Sequence, residues 1–172
     1  MGYTTEFKGV FKVAPELTEK HAEYLRAFSY VRHMKRITLD AEKLVDIRRV
    51  AVGLPVGLEG EYYVGSADDG NFGQGQWNKS DPTIIDYNTC PSRQPGLWCK
   101  WTPTADRTGI EWNGFEKFHG YIPWLIYLLE NFLVHWGYIV NGEVYWEGEN
   151  PEDTGVIRVR DGIVEVLTER VL

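Results

Sequence analysis

The sequence predicts an α+β protein, a single domain over residues 1–172, with one antiparallel sheet, two main helices packed on one face and a C-terminal β-meander. Three observations carry this. Periodic segments run strand, helix, several strands, helix, strands, without the strand–helix alternation of a parallel sheet. Phe118, Ile122, Leu125, Leu129, Phe132 and Trp136 recur at alternating spacings of four and three, the stripe of a buried amphipathic helix. Asn141-Gly142 and Asp161-Gly162, each between alternating apolar residues, are dipeptides that favour two-residue hairpin turns.

Phe7, Val10, Phe11 and Val13 predict an opening strand with a bulge at Gly9, ended by Pro15. Thr18 is placed as an N-cap, with Glu19 in the first turn where a carboxylate suits the helix dipole. Leu17, Ala22, Leu25, Phe28 and Val31 then predict helix over residues 19–36. A shorter helix or loop carries Leu39, Leu44, Val45 and Ile47. Residues 53–75 hold seven of the 18 glycines, so this stretch and its continuation to Ser80 read as loop around a strand at 61–64. Residues 84–87 predict a short strand, and 97–102 with 108–112 a hairpin around 103–107.

Asn113 with Glu116 three residues on forms a capping-box pattern opening the second helix. Gly120 and Pro123 predict a kink, and Gly137 the residue just past the helix end. Around the Asp161-Gly162 turn, Val159 pairs with Val164, Ile157 with Val166 and Arg158 with Glu165, giving an apolar face and a salt-bridged one.

Six of seven tryptophans and 13 of 24 aromatic residues fall between Trp98 and Trp146. Each large ring buries on the order of 150–250 Å², so this segment dominates the core and leaves some ring faces for a surface or groove. A net charge of −7 argues against general affinity for nucleic-acid phosphates and for anionic membranes. The charge is uneven: residues 26–49 carry a net +4 and residues 141–172 a net −5, which describes either solvated faces or a dipolar molecule that steers a partner. No basic segment followed by an apolar run opens the chain, and no apolar stretch is long enough to span a bilayer, so a cytoplasmic protein is expected. Cys90 and Cys99 read as two reduced thiols, with a disulfide as the alternative, and no histidine has zinc-finger spacing.

Catalytic signatures are missing. The glycine-rich run 65–77 lacks the Gly-Lys-Ser/Thr of a phosphate-binding loop and the helix of a dinucleotide fingerprint. Glu116-x-x-His119 is half of a di-iron pattern, but the first helix carries no second copy. No catalytic residue, metal or cofactor is therefore assigned. The binding candidates are Asp68, Asp69, Gln74, Gln76 and Trp77 in the glycine-rich loop, with Arg93, Trp98 and Trp101 as nearby contacts. Arg93 lies between two prolines in a turn, where a guanidinium stacks on a ring or clamps an anion.

The runs Gly96-Leu97-Trp98-Cys99-Lys100-Trp101, Gly109-Ile110-Glu111-Trp112-Asn113-Gly114 and His135-Trp136-Gly137-Tyr138 resemble conserved hypothetical proteins of bacteria and their phages, over roughly residues 60–160. That group has no established activity, so the resemblance implies no catalytic residues. It implies a mobile-element setting, in which small acidic proteins inhibit or sequester host factors. The expected function is a non-enzymatic binding protein for a host protein or a small polar, nucleotide-like ligand. The alternatives are a small hydrolase or transferase with an unrecognised acid–base site, and an assembly protein whose copies pair through a sheet edge.

Overall fold

The computed structural model describes residues 2–65 and 81–168. In chain order the elements are β1 (Thr5–Ala14), α1 (Glu19–Phe28), β2 (Lys35–Arg36), α2 (Thr38–Ala41), α3 (Ile47–Ala51), β3 (Ile84–Asp86), β4 (Trp101–Pro103), β5 (Gly109–Trp112), α4 (Tyr121–Leu128), β6 (Ile139–Gly148), β7 (Thr154–Arg160) and β8 (Ile163–Thr168). A 3₁₀ turn at Leu58–Gly60 and a π turn at Leu129–Leu133 complete them. The protein is α+β, and its contacts group into two compact units. One comprises Met1–Thr18 with Lys100–Leu172, the other Glu19–Cys99.

The first unit is built on an antiparallel sheet of six strands, ordered β4-β5-β1-β6-β7-β8. Alternation decides its faces. Phe7, Phe11 and Val13 of β1, Val140, Val144 and Trp146 of β6, and Ile157 and Val159 of β7 are buried. Phe7 sits at the centre of a ring cluster, with centroids 5.3 Å from Trp101, 5.7 Å from Phe118 and 4.9 Å from Tyr121. Tilted and edge-to-face arrangements of this kind suit the ring quadrupoles.

The register of β1 on β6 runs unbroken through Gly9, so the predicted bulge is absent. The glycine is needed for close approach instead: a Cβ there would lie 2.6 Å from the Glu143 carbonyl oxygen. The predicted Asn141-Gly142 turn is also absent. Both residues lie inside β6, opposite Lys12 and Phe11. Asn141 instead braces the other turn, its Oδ1 accepting from the Asp161 amide at 2.8 Å. That second hairpin has the predicted register, with Val159 opposite Val164, Ile157 opposite Val166 and Arg158 opposite Glu165. Asp161 and Gly162 both have positive φ, 48° and 82°, as a type I′ turn requires. The hairpin of β4 and β5 forms, Trp101 facing Trp112, but its first strand is shorter than expected: residues 97–100 are bend and coil, and Pro103 lies in β4 rather than in the turn. Its turn is held by Asp106, which accepts from the hydroxyls of Thr108 and Thr104 and from the Thr108 amide, bonds that lower its carboxyl pKa to about 2.

The second predicted helix starts later than its capping pattern suggests. Asn113 Oδ1 accepts from the Phe115 amide in a local turn, and α4 begins at Tyr121 after a left-handed Gly120. Pro123 therefore falls in the first turn, where its missing N–H has no intrahelical acceptor to lose, so the physical reason for a kink there falls away. The helix then widens into the π turn, with Val134 N–H reaching back five residues to Leu129. Gly137, at φ 90°, closes it in a Schellman arrangement: its amide bonds Val134 O and the Tyr138 amide bonds Leu133 O. Phe118, Leu125, Leu129 and Phe132 of the predicted stripe are buried, joined by Trp124, Tyr127, Leu128 and Leu133.

In the second unit, α1 stops at Phe28, where residues 19–36 had been expected to be helical throughout. Ser29 Oγ bonds the Arg26 carbonyl, competing with helix continuation. His33 Nε2 contacts the Phe28 carbonyl at 2.9 Å and its ring lies 4.2 Å from that of Phe28. Val31 and Met34 remain buried, so the apolar spacing marks core positions although the backbone has left the helix. Residues 61–64 are turn and coil rather than strand, while β3 forms and pairs with β2.

Candidate functional site

Around α3 and β2 the second unit turns several charged side chains inward and several aliphatic ones outward. Arg36, Asp46, Arg49 and Glu61 are buried. A buried charge is tolerated when it is paired and hydrogen-bonded, and each of these is. Asp46 accepts from Arg49 Nε at 2.6 Å, from the Gly65 amide at 2.8 Å and from the Val64 amide at 3.3 Å. Arg49 Nη1 also donates to the Leu54 carbonyl at 2.7 Å. Arg36 donates to Thr83 Oγ1 at 2.7 Å and to Asp81 at 3.2 Å, and its guanidinium lies 4.3 Å from the centroid of the Tyr63 ring. Burial acts to raise the Asp81 pKa, but the Thr83 hydroxyl and amide and then Arg36 outweigh it and the carboxyl stays below its ordinary value.

This wiring inverts α3. Successive helical residues are rotated by about 100°, so in Ile47-Arg48-Arg49-Val50-Ala51 the Arg49 side chain opposes Ile47 and Ala51, and Val50 lies about a quarter turn away from it. Asp46 draws Arg49 inward to 8% exposure, which leaves Ile47 at 74% and Val50 at 64%. Val45 immediately before the helix is exposed as well. A second exposed group, Ile37, Leu39, Leu58 and Ile85, surrounds β2, β3 and α2. Local bonds hold these segments together: Ile37 N–H to Thr83 O at 2.8 Å and Glu59 N–H to Thr38 Oγ1 at 2.9 Å. These exposed aliphatic side chains, mounted beside buried ion pairs, are the candidate surface.

Of the candidates drawn from the sequence, Asp68, Asp69, Gln74, Gln76 and Trp77 lie outside the described residues. Arg93 and Trp98 belong to the second unit and Trp101 to the first. Arg93 is half exposed, and its Nε and Nη2 are committed to the fully buried carboxylate of Glu61, with Nε at 3.1 Å. Glu61 also accepts from the Leu58 amide at 3.0 Å, and its backbone carbonyl accepts from Gln94 Nε2 at 2.7 Å. Much of the donor fork expected to clamp an anion is thus used to neutralise an internal one. Trp98 is half-buried with the Arg32 guanidinium 5.9 Å from its ring centroid. Trp101 is a core residue, 1% exposed, its indole N–H donating to the Tyr121 carbonyl at 2.8 Å. Contact with a ligand, expected from the aromatic density, is not open to a ring in that position.

The net +4 of residues 26–49 does not become a basic patch, because Arg32, Arg36 and Arg49 are buried and satisfied internally. Glu116 and His119 are exposed and precede α4 rather than sharing a helix face. Cys90 and Cys99 are free thiols, and burial pushes the Cys90 pKa up, away from thiolate reactivity. A groove of about 670 Å³ in the first unit lies between Lys12, Ala14 and the Thr104–Thr108 turn, but the Thr104 and Thr108 hydroxyls both donate to Asp106. Among the described residues no group of three or more His, Cys, Asp or Glu is placed to hold a metal ion, and no helix is long and apolar enough to cross a membrane. No protein-family model, no curated protein and no solved structure matches this chain.

This candidate surface is not singled out by the sequence. Ile47-Arg48-Arg49-Val50 reads equally as an amphipathic turn with its aliphatic side inward. The contacts with Asp46 and the Leu54 carbonyl decide that Arg49 goes in.

Proposed function

We propose that the protein is a non-enzymatic binding protein that engages a host protein through the aliphatic surface of its second unit, centred on Ile47 and Val50, in the mobile-element setting that the sequence resemblance implies. The single observation that carries the reading is the inverted α3, which exposes two β-branched aliphatic side chains, Ile47 and Val50, and buries Arg49. Apolar groups in such positions stabilise a complex by leaving water on binding. They favour a protein surface over a nucleotide-like ligand, since the arginines suited to phosphate are committed to Asp46, Glu61 and Asp81.

The test compares wild-type protein with Ile47→Asp/Val50→Asp, each immobilised and exposed to host-cell extract, followed by titration calorimetry with any purified protein retained. The variant should keep the wild-type circular dichroism spectrum, lose the retained protein and weaken its binding by at least tenfold. Equal retention by both forms defeats the reading. A thermal-shift response to nucleotides that survives the double substitution transfers the function to a small-ligand site.

A further inference from the structure

The two edges of the sheet in the first unit are built differently. At one end, β4 is three residues long, contains Pro103 and is buried throughout. Proline and short length are means by which sheets discourage edge pairing. At the other end, β8 is six residues, Ile-Val-Glu-Val-Leu-Thr, without proline, glycine or lysine. Among the described residues no strand pairs with its outer side.

The hairpin fixes which backbone groups face outward. In a two-residue hairpin the residues flanking the turn, here Arg160 and Ile163, exchange both hydrogen bonds, and the exchange recurs at alternate pairs. Arg158 with Glu165 and Val156 with Leu167 are therefore bonded pairs. In agreement, the Leu167 carbonyl points at β7, 2.5 Å from where a Cβ on Gly155 would lie. Val164, Val166 and Thr168 consequently direct their N–H and C=O groups away from the sheet. Their side chains share the face of Ile157 and Val159, both buried. Val144, Ile157 and Val166 form one cross-strand row, and only at its end does exposure reach 45%.

We propose that β8 is a strand-addition edge whose occupant is β8 of a second copy of this chain, paired antiparallel about a two-fold axis at Val166. A two-fold axis perpendicular to the sheet keeps each face on its own side, so only residues of like parity face each other. Two centres use most of the strand. A centre at Glu165 sets that carboxylate against its own copy, which is unfavourable between directly opposed residues. The centre at Val166 sets valine against valine, Val164 against Thr168 and Glu165 against Leu167. It joins the outward amides and carbonyls in pairs and continues the row Val144–Ile157–Val166 into its symmetry mate. The contact is smaller than a standard protein interface of about 1,600 Å², so the dimer dissociates on dilution. It involves a different unit from α3 and stands independently of the proposed binding function.

Sedimentation velocity over about 1 µM to 1 mM, the range in which a small interface associates, should show the mass rising from 19.8 kDa toward twice that value. Val166→Lys places like charges on the axis and should remain monomeric at every concentration, with an unchanged circular dichroism spectrum. Val166→Cys should cross-link to itself on mild oxidation, far faster than Val164→Cys or the wild type with its own two thiols. A wild type that stays monomeric, a dimer that survives Val166→Lys, or equal cross-linking at positions 164 and 166 overturns the proposal.

Discussion

Replacing Asp46 with alanine tests the frame on which the candidate surface is mounted. The substitution removes the acceptor of three donors: Arg49 Nε at 2.6 Å and the amides of Gly65 and Val64 at 2.8 and 3.3 Å. Breaking a buried ion pair by removing one partner costs about 3–5 kcal/mol, because the other charge is left uncompensated. An orphaned buried amide adds ~1 kcal/mol or more. The contributions share atoms and do not add fully, so a loss of roughly 4–6 kcal/mol is expected, a large share of the ~5–15 kcal/mol that holds an ordinary domain together. A second substitution, Arg49→Met, made on Asp46→Ala removes the stranded guanidinium. It should recover about 2–4 kcal/mol and leave the cost of the two amides and of the Leu54 carbonyl that Arg49 Nη1 had held. Urea denaturation followed by circular dichroism and tryptophan fluorescence measures each corner of the cycle. A loss below about 1 kcal/mol for Asp46→Ala, or a further loss instead of a recovery on adding Arg49→Met, refutes the reasoning and with it the account of why Ile47 and Val50 face outward.

Leu129→Ala, at a position 1% exposed, should cost about 2–5 kcal/mol in the same denaturation, and less than about 1 kcal/mol means that the helix face is not core. Gly155→Ala sets a Cβ against the Trp146 ring and the Leu167 carbonyl, so overpacking of roughly 1–3 kcal/mol should lower the melting temperature; an unchanged value means that the ring and carbonyl lie elsewhere. Gly142→Val should destabilise the sheet because φ is +148° and a Cβ would lie 2.8 Å from the Val10 carbonyl oxygen, and normal melting excludes Gly142 from the centre of β6. Burial holds the His33 pKa at about 4, below the ordinary value of 6.5. The unfolded chain therefore binds the proton first, and the His33 contribution, whole above pH 6.5, is lost as pH falls from 6.5 to 4, on the order of 3 kcal/mol. His33→Phe should flatten stability over that window, and an unaltered slope refutes the burial of a neutral imidazole.

Local rules settled much of this fold. The Asp161-Gly162 hairpin was legible with its register, because a two-residue turn and strict alternation leave one pairing that puts Ile157 and Val159 on the same face. The end of the long helical segment was legible at Gly137, whose left-handed backbone suits glycine. The stripe through Leu125, Leu129 and Phe132 named core positions without regard to the π turn between them. Where two local rules competed, only tertiary contacts chose. Asn141-Gly142 has turn chemistry, but ten consecutive residue pairs between β1 and β6 outweigh it, and the asparagine is recruited to brace a turn twenty residues away. Pro123 reads as a kink until the helix is known to begin at Tyr121.

The candidate surface was the least legible part. Whether a short segment such as Ile47–Ala51 buries its aliphatic or its charged side depends on partners far along the chain, here Asp46 clasping the amides of Val64 and Gly65. The sequence by itself determined much of the core, the register of the β7–β8 hairpin and the α+β class, because these follow from periodicity and backbone preference within a few residues. The tertiary structure alone decided which charges go inside, because a buried carboxylate such as Asp46 is stable only when, beside its near neighbour Arg49, its remaining donors, the amides of Val64 and Gly65, are brought in from distant positions.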